Sequence, residues 1–210
     1  MSATERMDAI RQQIKACKNC PLYRGRKNAV PGEGPYDAKL MCIGEGPGFH
    51  ENEQGKPFVG QAGKFLDELL AASGLKREEV FITNVVKCRP PSNRDPEPQE
   101  LAACRNYLDE QIELINPKVI VTLGRFSMGR FIDGGRISQI HGRAHEIGGR
   151  IVVTMYHPAA ALHQPALKGA LLNDFAQLKV LLNRQEPPEA PALPEMPEKD
   201  QPEAEQLSLF

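Results

Sequence analysis

Four short apolar runs stand out along an otherwise mixed chain: Lys39–Gly44, Val80–Val86, Val119–Leu123 and Ile151–Met155. Each has the length of a strand and is apolar almost throughout, which predicts strands buried on both faces. Around them, apolar positions recur with helical spacing. They predict helices over residues 4–16, Gly63–Ser73, Gln99–Ile115, Phe126–Ile132 and Lys168–Leu182. Strands that alternate with helices argue a parallel sheet covered on both faces, with ligands seated beyond the carboxyl ends of the strands. Three loops rich in unusual residues fall at that edge: Gly44–Gly63, Cys88–Pro98 and His157–Pro165.

From Glu186 the pattern is lost. EPPEAPALPEMPEKDQPEAE carries six prolines and almost no large apolar residue, the composition of an extended, disordered linker. The chain ends in QLSLF, where apolar side chains return after the solvated stretch. This predicts a domain over 1–185, a linker over 186–205 and a tethered docking peptide over 206–210.

Charge follows the same division. The formal net charge is −1, but residues 186–210 hold seven acids and one base, or −6. Residues 1–185 therefore carry 25 bases against 20 acids, or +5. A mildly basic body permits nucleic-acid binding without demanding it. There is no apolar run of about 18 residues to span a membrane, and the polar N-terminus lacks a signal-peptide core, so a cytosolic protein is expected.

In that compartment the five cysteines favour a metal site over disulfides. Cys17 and Cys20 form a Cys-x2-Cys pair, and fifteen residues separate Cys88 from Cys104. Four thiolates suit structural zinc or an iron–sulfur cluster, and the spacing does not choose between them. Cys42 lies among apolar neighbours in a strand run and is expected to be a core thiol.

The loop Gly44–Gly63, GEGPGFHENEQGKPFVGQAG, holds six glycines, two prolines and three acids. Glycines let backbone approach a ligand closely, and a loop this long is more often functional than structural. Glu45 or Glu51 could orient water or stabilise a cation. Phe58 could stack on a flat ring. Asn84, at the end of the second strand run, offers an acceptor and paired donors to a nucleobase edge. His157 could donate to a developing oxyanion. Taken singly, Phe58 also suits a core, Asn84 a cap and His157 a plain loop.

Together these segments resemble the family 4, iron–sulfur type of uracil-DNA glycosylase. The likeness spans about 185 residues: GEGPGFHENEQGKPFVGQAG and HPAAALH match its two motifs, ITNVVKCRPPSNRDP its intervening motif, and Cys17, Cys20, Cys88 and Cys104 its cluster ligands. The resemblance implies a three-layer α/β/α sandwich around a four-stranded parallel sheet and a 4Fe-4S cluster. The implied activity is hydrolysis of the N-glycosidic bond of deoxyuridine in DNA, by a monofunctional enzyme of base excision repair. Glu45 would position water and offset the sugar cation, and His157 would hold the charge growing on uracil O2. Asn84 would read O4 and N3–H, Phe58 would stack on the ring, Glu51 would block the C5 methyl of thymine, and Gly46 would offer a backbone N–H. QLSLF resembles the peptide by which bacterial proteins dock on the DNA polymerase sliding clamp. A monomeric, cytoplasmic, nucleoid-associated prokaryotic enzyme is then expected.

The chain departs from the family pattern after His157-Pro158, where Ala160, Ala161 and His163 stand. Leu162 remains as the apolar candidate for a DNA wedge. Lys64, Arg89, Arg94, Arg143 and Lys168 are candidate phosphate contacts. Two rivals are a non-catalytic, metal-stapled DNA-binding protein and a relative that cross-links covalently to abasic sugar. The cross-linking relative carries an inserted basic run with a histidine, for which VVKCRPPSNRDP has no counterpart.

Overall fold

The computed structural model describes residues 2–183; the linker and the QLSLF terminus lie outside them. The chain runs α1 (Ala3–Ala16), β1 (Leu40–Gly44), α2 (Phe49–Gln54), α3 (Gln61–Ala72), β2 (Val80–Asn84), α4 (Pro98–Ile115), β3 (Val119–Leu123) and α5 (Arg125–Met128). It continues α6 (Ile137–Ile140), β4 (Ala144–Ile147), β5 (Arg150–Met155), α7 (Pro158–His163), α8 (Ala166–Ala176) and α9 (Leu178–Asn183).

The four expected strands form the parallel core of the sheet, in the order β2-β1-β3-β5. Alternation along β1 separates two cores. Leu40 and Cys42 face the layer built by α3, α7, α8 and α9, where Leu66, Leu69, Leu171 and Phe175 are fully buried. Met41 and Ile43 face α1 and α4, against Met7, Ile14 and Leu108. This is the α/β/α sandwich, and Cys42 is the core thiol that its apolar neighbours predict. It is fully buried, and burial pushes its pKa to about 12.

The expected four-stranded, all-parallel sheet needs correction. A fifth strand, β4, pairs antiparallel with β5 at the edge. Ala144–Ile147 is half polar and partly exposed, so it lacks the apolar run that marks the central strands. Its signal is the turn: Gly148 and Gly149 both take positive φ, +57° and +73°, as a two-residue hairpin turn requires.

Helix boundaries shift for local reasons. The helix expected over Phe126–Ile132 ends at Met128. The one expected over Lys168–Leu182 is two helices, interrupted at Gln177, whose N–H tightens onto the Asp174 carbonyl. α1 begins at a capping box: Ser2 Oγ accepts from the Glu5 N–H, and Glu5 accepts from the Ser2 N–H. α4 has Pro98 in its first turn, where a missing N–H costs nothing. No helix among the described residues is long and apolar enough to cross a membrane.

Candidate active site and cysteine site

β1, β2 and β5 end at one edge of the sheet, and the segments leaving them enclose a cavity of about 280 Å³. Glu45, Gly46, Glu51, Phe58, Asn84 and His157 all line it. The topology thus gathers residues from three loops, 112 positions apart at the extremes (45 to 157), around one space.

Asn84 closes β2 and is 1% exposed. Its Oδ1 is buried without a hydrogen-bond partner. Buried polar atoms are paired in the great majority of cases, so an orphaned acceptor in a cavity wall marks a place for a donor from a ligand. Close approach of backbone shapes the same wall. A Cβ at Gly44 would strike Asn84 Oδ1 and come within 2.7 Å of the Phe58 ring. One at Gly46 would come within 2.7 Å of Val86.

Phe58 is 6% exposed and part of the core, and it also walls the cavity. Its backbone sits at φ +51°, which is strained for a phenylalanine. Neighbouring groups hold it there. Glu51 Oε1 accepts from the N–H groups of Val59 and Gly60, both at 2.9 Å. Arg77 donates to the carbonyls of Pro57 and Phe58, at 2.6 and 3.2 Å. α3 lies against the turn because Gly63 has no Cβ to strike the Phe58 carbonyl. Glu51 therefore fastens the loop as well as facing the cavity.

His157 caps α7, and its Nδ1 accepts from the Ala159 N–H at 3.1 Å. That bond occupies Nδ1 as an acceptor and leaves the proton of the neutral ring on Nε2. Burial holds the His157 pKa down at about 4, so the ring is a neutral donor at physiological pH. It stacks on Phe58 with centroids 5.6 Å apart and planes inclined by 26°. Glu45 is shifted the other way: burial, then the nearby Asp95 carboxylate, raises its pKa above the ordinary value.

The cavity also has walls that sequence reasoning passed over, Pro90 and Asn93, and one it placed otherwise, the candidate phosphate contact Arg94. Asn93 follows Ser92, and both take positive φ, +53° and +55°, a turn without a glycine to announce it. Arg94 is held by Glu100 through two hydrogen bonds of 2.9 and 2.7 Å, so its guanidinium is a brace for the loop and poorly placed as a phosphate contact. Phe49, also passed over, is 54% exposed on α2, with the Arg89 guanidinium 5.3 Å from its ring centroid. Leu162, the wedge candidate, is 47% exposed on α7.

Cys17, Cys20, Cys88 and Cys104 line a second, small cavity between the end of α1, the loop after β2 and α4. Every one of the four sulfurs receives an N–H. Asn19 donates to Cys17 at 3.5 Å and Arg26 to Cys88 at 3.1 Å, while backbone N–H groups of Leu22 and Lys87 serve Cys20 and Cys104. Burial raises the pKa of Cys20, Cys88 and Cys104, the last to about 11. Among the described residues no three Cys, His, Asp or Glu side chains are grouped closely enough to hold a single metal ion.

Comparison with known proteins agrees with this geometry. Residues 31–178 match the model of the uracil DNA glycosylase superfamily. A type-4 uracil-DNA glycosylase of Sulfurisphaera tokodaii is 46% identical over 190 residues, covering 83% of this chain and 84% of its own. One of Thermotoga maritima is 44% identical over 186 residues, covering 86% and 97%. A type-5 uracil-DNA glycosylase of Thermus thermophilus is more distant, 33% identical over 188 residues, covering 71% and 85%. With its cavity residues, Glu45 to His157, inside the matched segment and relatives of this identity and coverage, the chain belongs to the type-4 uracil-DNA glycosylases of that superfamily.

Proposed function

We propose that the protein excises uracil from DNA by flipping deoxyuridine out of the stack and hydrolysing its N-glycosidic bond, leaving an abasic site. The observation that carries this reading is the unpartnered Oδ1 of Asn84 in the wall of a cavity flanked by Phe58 and His157. Uracil presents N3–H to that acceptor and O4 to the amide N–H2; cytosine presents the inverse pattern. Extrusion costs about a few kcal/mol, which binding in the cavity offsets. Phe58 stacks on the base, and Gly46 leaves room for its backbone N–H to reach it. Glu51 stands against the C5 position, where a thymine methyl would have to fit.

Cleavage leaves negative charge on the base and positive charge on the sugar, and the residues must meet both. His157, held neutral with its proton on Nε2, donates to O2 as charge gathers there. Glu45, as the carboxylate, orients water and offsets the sugar cation. The test is cleavage of oligonucleotides carrying U, C or T by the wild type and two variants. Asn84→Asp should relax the choice of uracil over cytosine, and Glu45→Gln should lower single-turnover cleavage by about 10²-fold or more. Wild-type cleavage by Glu45→Gln would move the water role elsewhere.

Cys17, Cys20, Cys88 and Cys104 suit a 4Fe-4S cluster. Four sulfurs around a space, each with an N–H donor, suit either zinc or a cluster, and the likeness to the type-4 glycosylases chooses the cluster. Such a group would supply no bond-breaking step. These residues would hold it as a staple between α1, the loop after Asn84 and α4. Residues 1–185 form the catalytic domain, acting as a monomer in the cytoplasm at the nucleoid, and 186–205 serve as a tether. QLSLF at 206–210 docks on the sliding clamp. Deleting Gln206–Phe210 should abolish capture by the clamp and spare activity on short oligonucleotides; retained capture would refute the docking assignment. A non-catalytic DNA-binding role is less favoured, because it gives Glu45 and His157 nothing to do.

A further inference from the structure

Between Asn84 and Cys88 the chain makes a tight turn, and the turn is wrapped around its own lysine. Lys87 is 1% exposed. Its Nζ donates to the Thr83 hydroxyl at 2.7 Å, the Asn84 carbonyl at 2.8 Å and Gln111 Oε1 at 2.8 Å. Three acceptors match the three protons of an ammonium. None of them is a carboxylate, and no acidic side chain among the described residues pairs with Lys87. A charge buried among neutral acceptors is costly, and a nonpolar side chain of similar length would fill the same volume. Satisfying a few carbonyls is a poor reason to bury it.

The partners of that ammonium are themselves anchored. The Thr83 hydroxyl donates to the Pro31 carbonyl at 3.0 Å, and Gln111 Nε2 donates to the same oxygen at 2.8 Å. The backbone of Lys87 is fixed at both ends: its carbonyl accepts from the Val30 N–H at 2.8 Å, and its N–H donates to Cys104. One residue therefore touches the thiol site with its main chain and the last peptide of β2 with its side chain. That peptide carries the Asn84 side chain, whose Oδ1 has no hydrogen-bond partner among the described residues.

We infer that Lys87 is a positioning residue for uracil recognition, its ammonium clamping the Asn84 carbonyl so that the amide is presented to the base in one posture. The inference rests on the glycosylase reading above and adds a residue that does not touch the substrate. The clamp runs through the side chain, whereas Cys104 accepts from the main chain; the ammonium also feels the Cys104 thiol electrostatically, so iron content is read beside specificity.

The experiment compares full-length wild type, Lys87→Met, Gln111→Met, Asn84→Ala and the Lys87→Met/Asn84→Ala double variant. It reads inhibition of cleavage by free uracil, the ratio of U to C cleavage, kcat and KM, iron content and thermal midpoint. Lys87→Met should weaken inhibition by uracil and lower the U-to-C ratio at least tenfold, while iron content stays at the wild-type level. Added to Asn84→Ala, it should change neither quantity further, since the amide it positions is gone. Gln111→Met, far from the cavity on α4, should move both in the same direction by about threefold.

Unchanged inhibition and an unchanged U-to-C ratio in Lys87→Met would overturn the inference. So would an equal loss in the Asn84→Ala background, which would mean general damage. Should Lys87→Met fail to fold, Gln111→Met decides: wild-type values in that variant refute the clamp. A wild type that leaves uracil uncut would remove both the glycosylase reading and this one; a wild type that cuts beside an unaffected Lys87→Met would remove only this one.

Discussion

At the scale of single residues, the site depends on side chains that are absent as much as on those present. Gly44 shows this. Asn84 and Phe58 can meet over β1 only because Gly44 carries no Cβ. Gly44→Ala should therefore push the Asn84 amide and the Phe58 ring off the places their proposed roles need. We expect KM for uracil-containing oligonucleotides to rise by about tenfold or more, equivalent to about 1.4 kcal/mol of lost binding, with the fold kept. Steady-state kinetics beside circular dichroism measures both. The two titrating residues are tuned apart, and this gives a pH signature. In its proposed role Glu45 acts ionised, and its pKa is raised, so activity should fall on acidification at a pH above the ordinary glutamate value of 4.5. His157 at about 4 stays neutral throughout that limb. In Glu45→Gln the limb should vanish along with most of the rate. A limb that persists unaltered in that variant would assign it to another group.

At the scale of elements, the turn that carries Phe58 is held open by groups brought from elsewhere. Glu51 comes from α2, and Arg77 follows α3 with Asp67 orienting it at 2.9 Å. Arg77→Met removes two charge-assisted bonds to carbonyls in a strained turn, an expected loss of about 2 kcal/mol. For a domain of this size that corresponds to a fall of about 4–8 °C in thermal midpoint. KM should rise as the ring loses its place; a differential scanning measurement with kinetics on the same sample checks the pair. α1 and α4 share the core face of the sheet, and α1 also ends at Cys17 while α4 carries Cys104 within it, so their docking has two supports. Cys104→Ser should lower iron content and make the α1 end more susceptible to limited proteolysis. Wild-type iron in that variant would show that the cysteine is not a ligand.

At the scale of the molecule, the arrangement that serves chemistry costs stability in acid. His157 is neutral in the folded state down to about pH 4, whereas the unfolded chain takes up a proton near 6.5. The depressed value means its contribution is complete above about 6.5 and is lost progressively as pH falls toward 4. Denaturant titrations at pH 7 and pH 4.5 should show lower stability at the acid value, with the difference reduced in His157→Asn. An equal pH dependence in the variant would place the proton uptake on other residues.

Much of this organisation is legible in the chain, and the reasons are physical. The central strands are buried on both faces, so they must be apolar runs, and runs are visible. The cavity-lining loops follow those strands, so Glu45, Phe58, Asn84 and His157 stand out as candidates by position and residue type, and the family resemblance chose among their readings. β4 escaped notice because an edge strand with one open face needs no apolar run, only the Gly148-Gly149 turn. Asn93 escaped, and Arg94 was expected to meet phosphate, because nothing local distinguishes a cavity wall from a loop. Burial and periodicity act along the chain, so residue order already carries the layers, the edge where chemistry gathers and the residue types available there. Only the tertiary structure decided that Asn84 has an unpaired acceptor, that His157 presents Nε2–H, and that a buried Lys87 closes the turn behind them. Each of those depends on which atom of a distant residue comes within hydrogen-bonding distance, and the order of residues alone does not encode that distance.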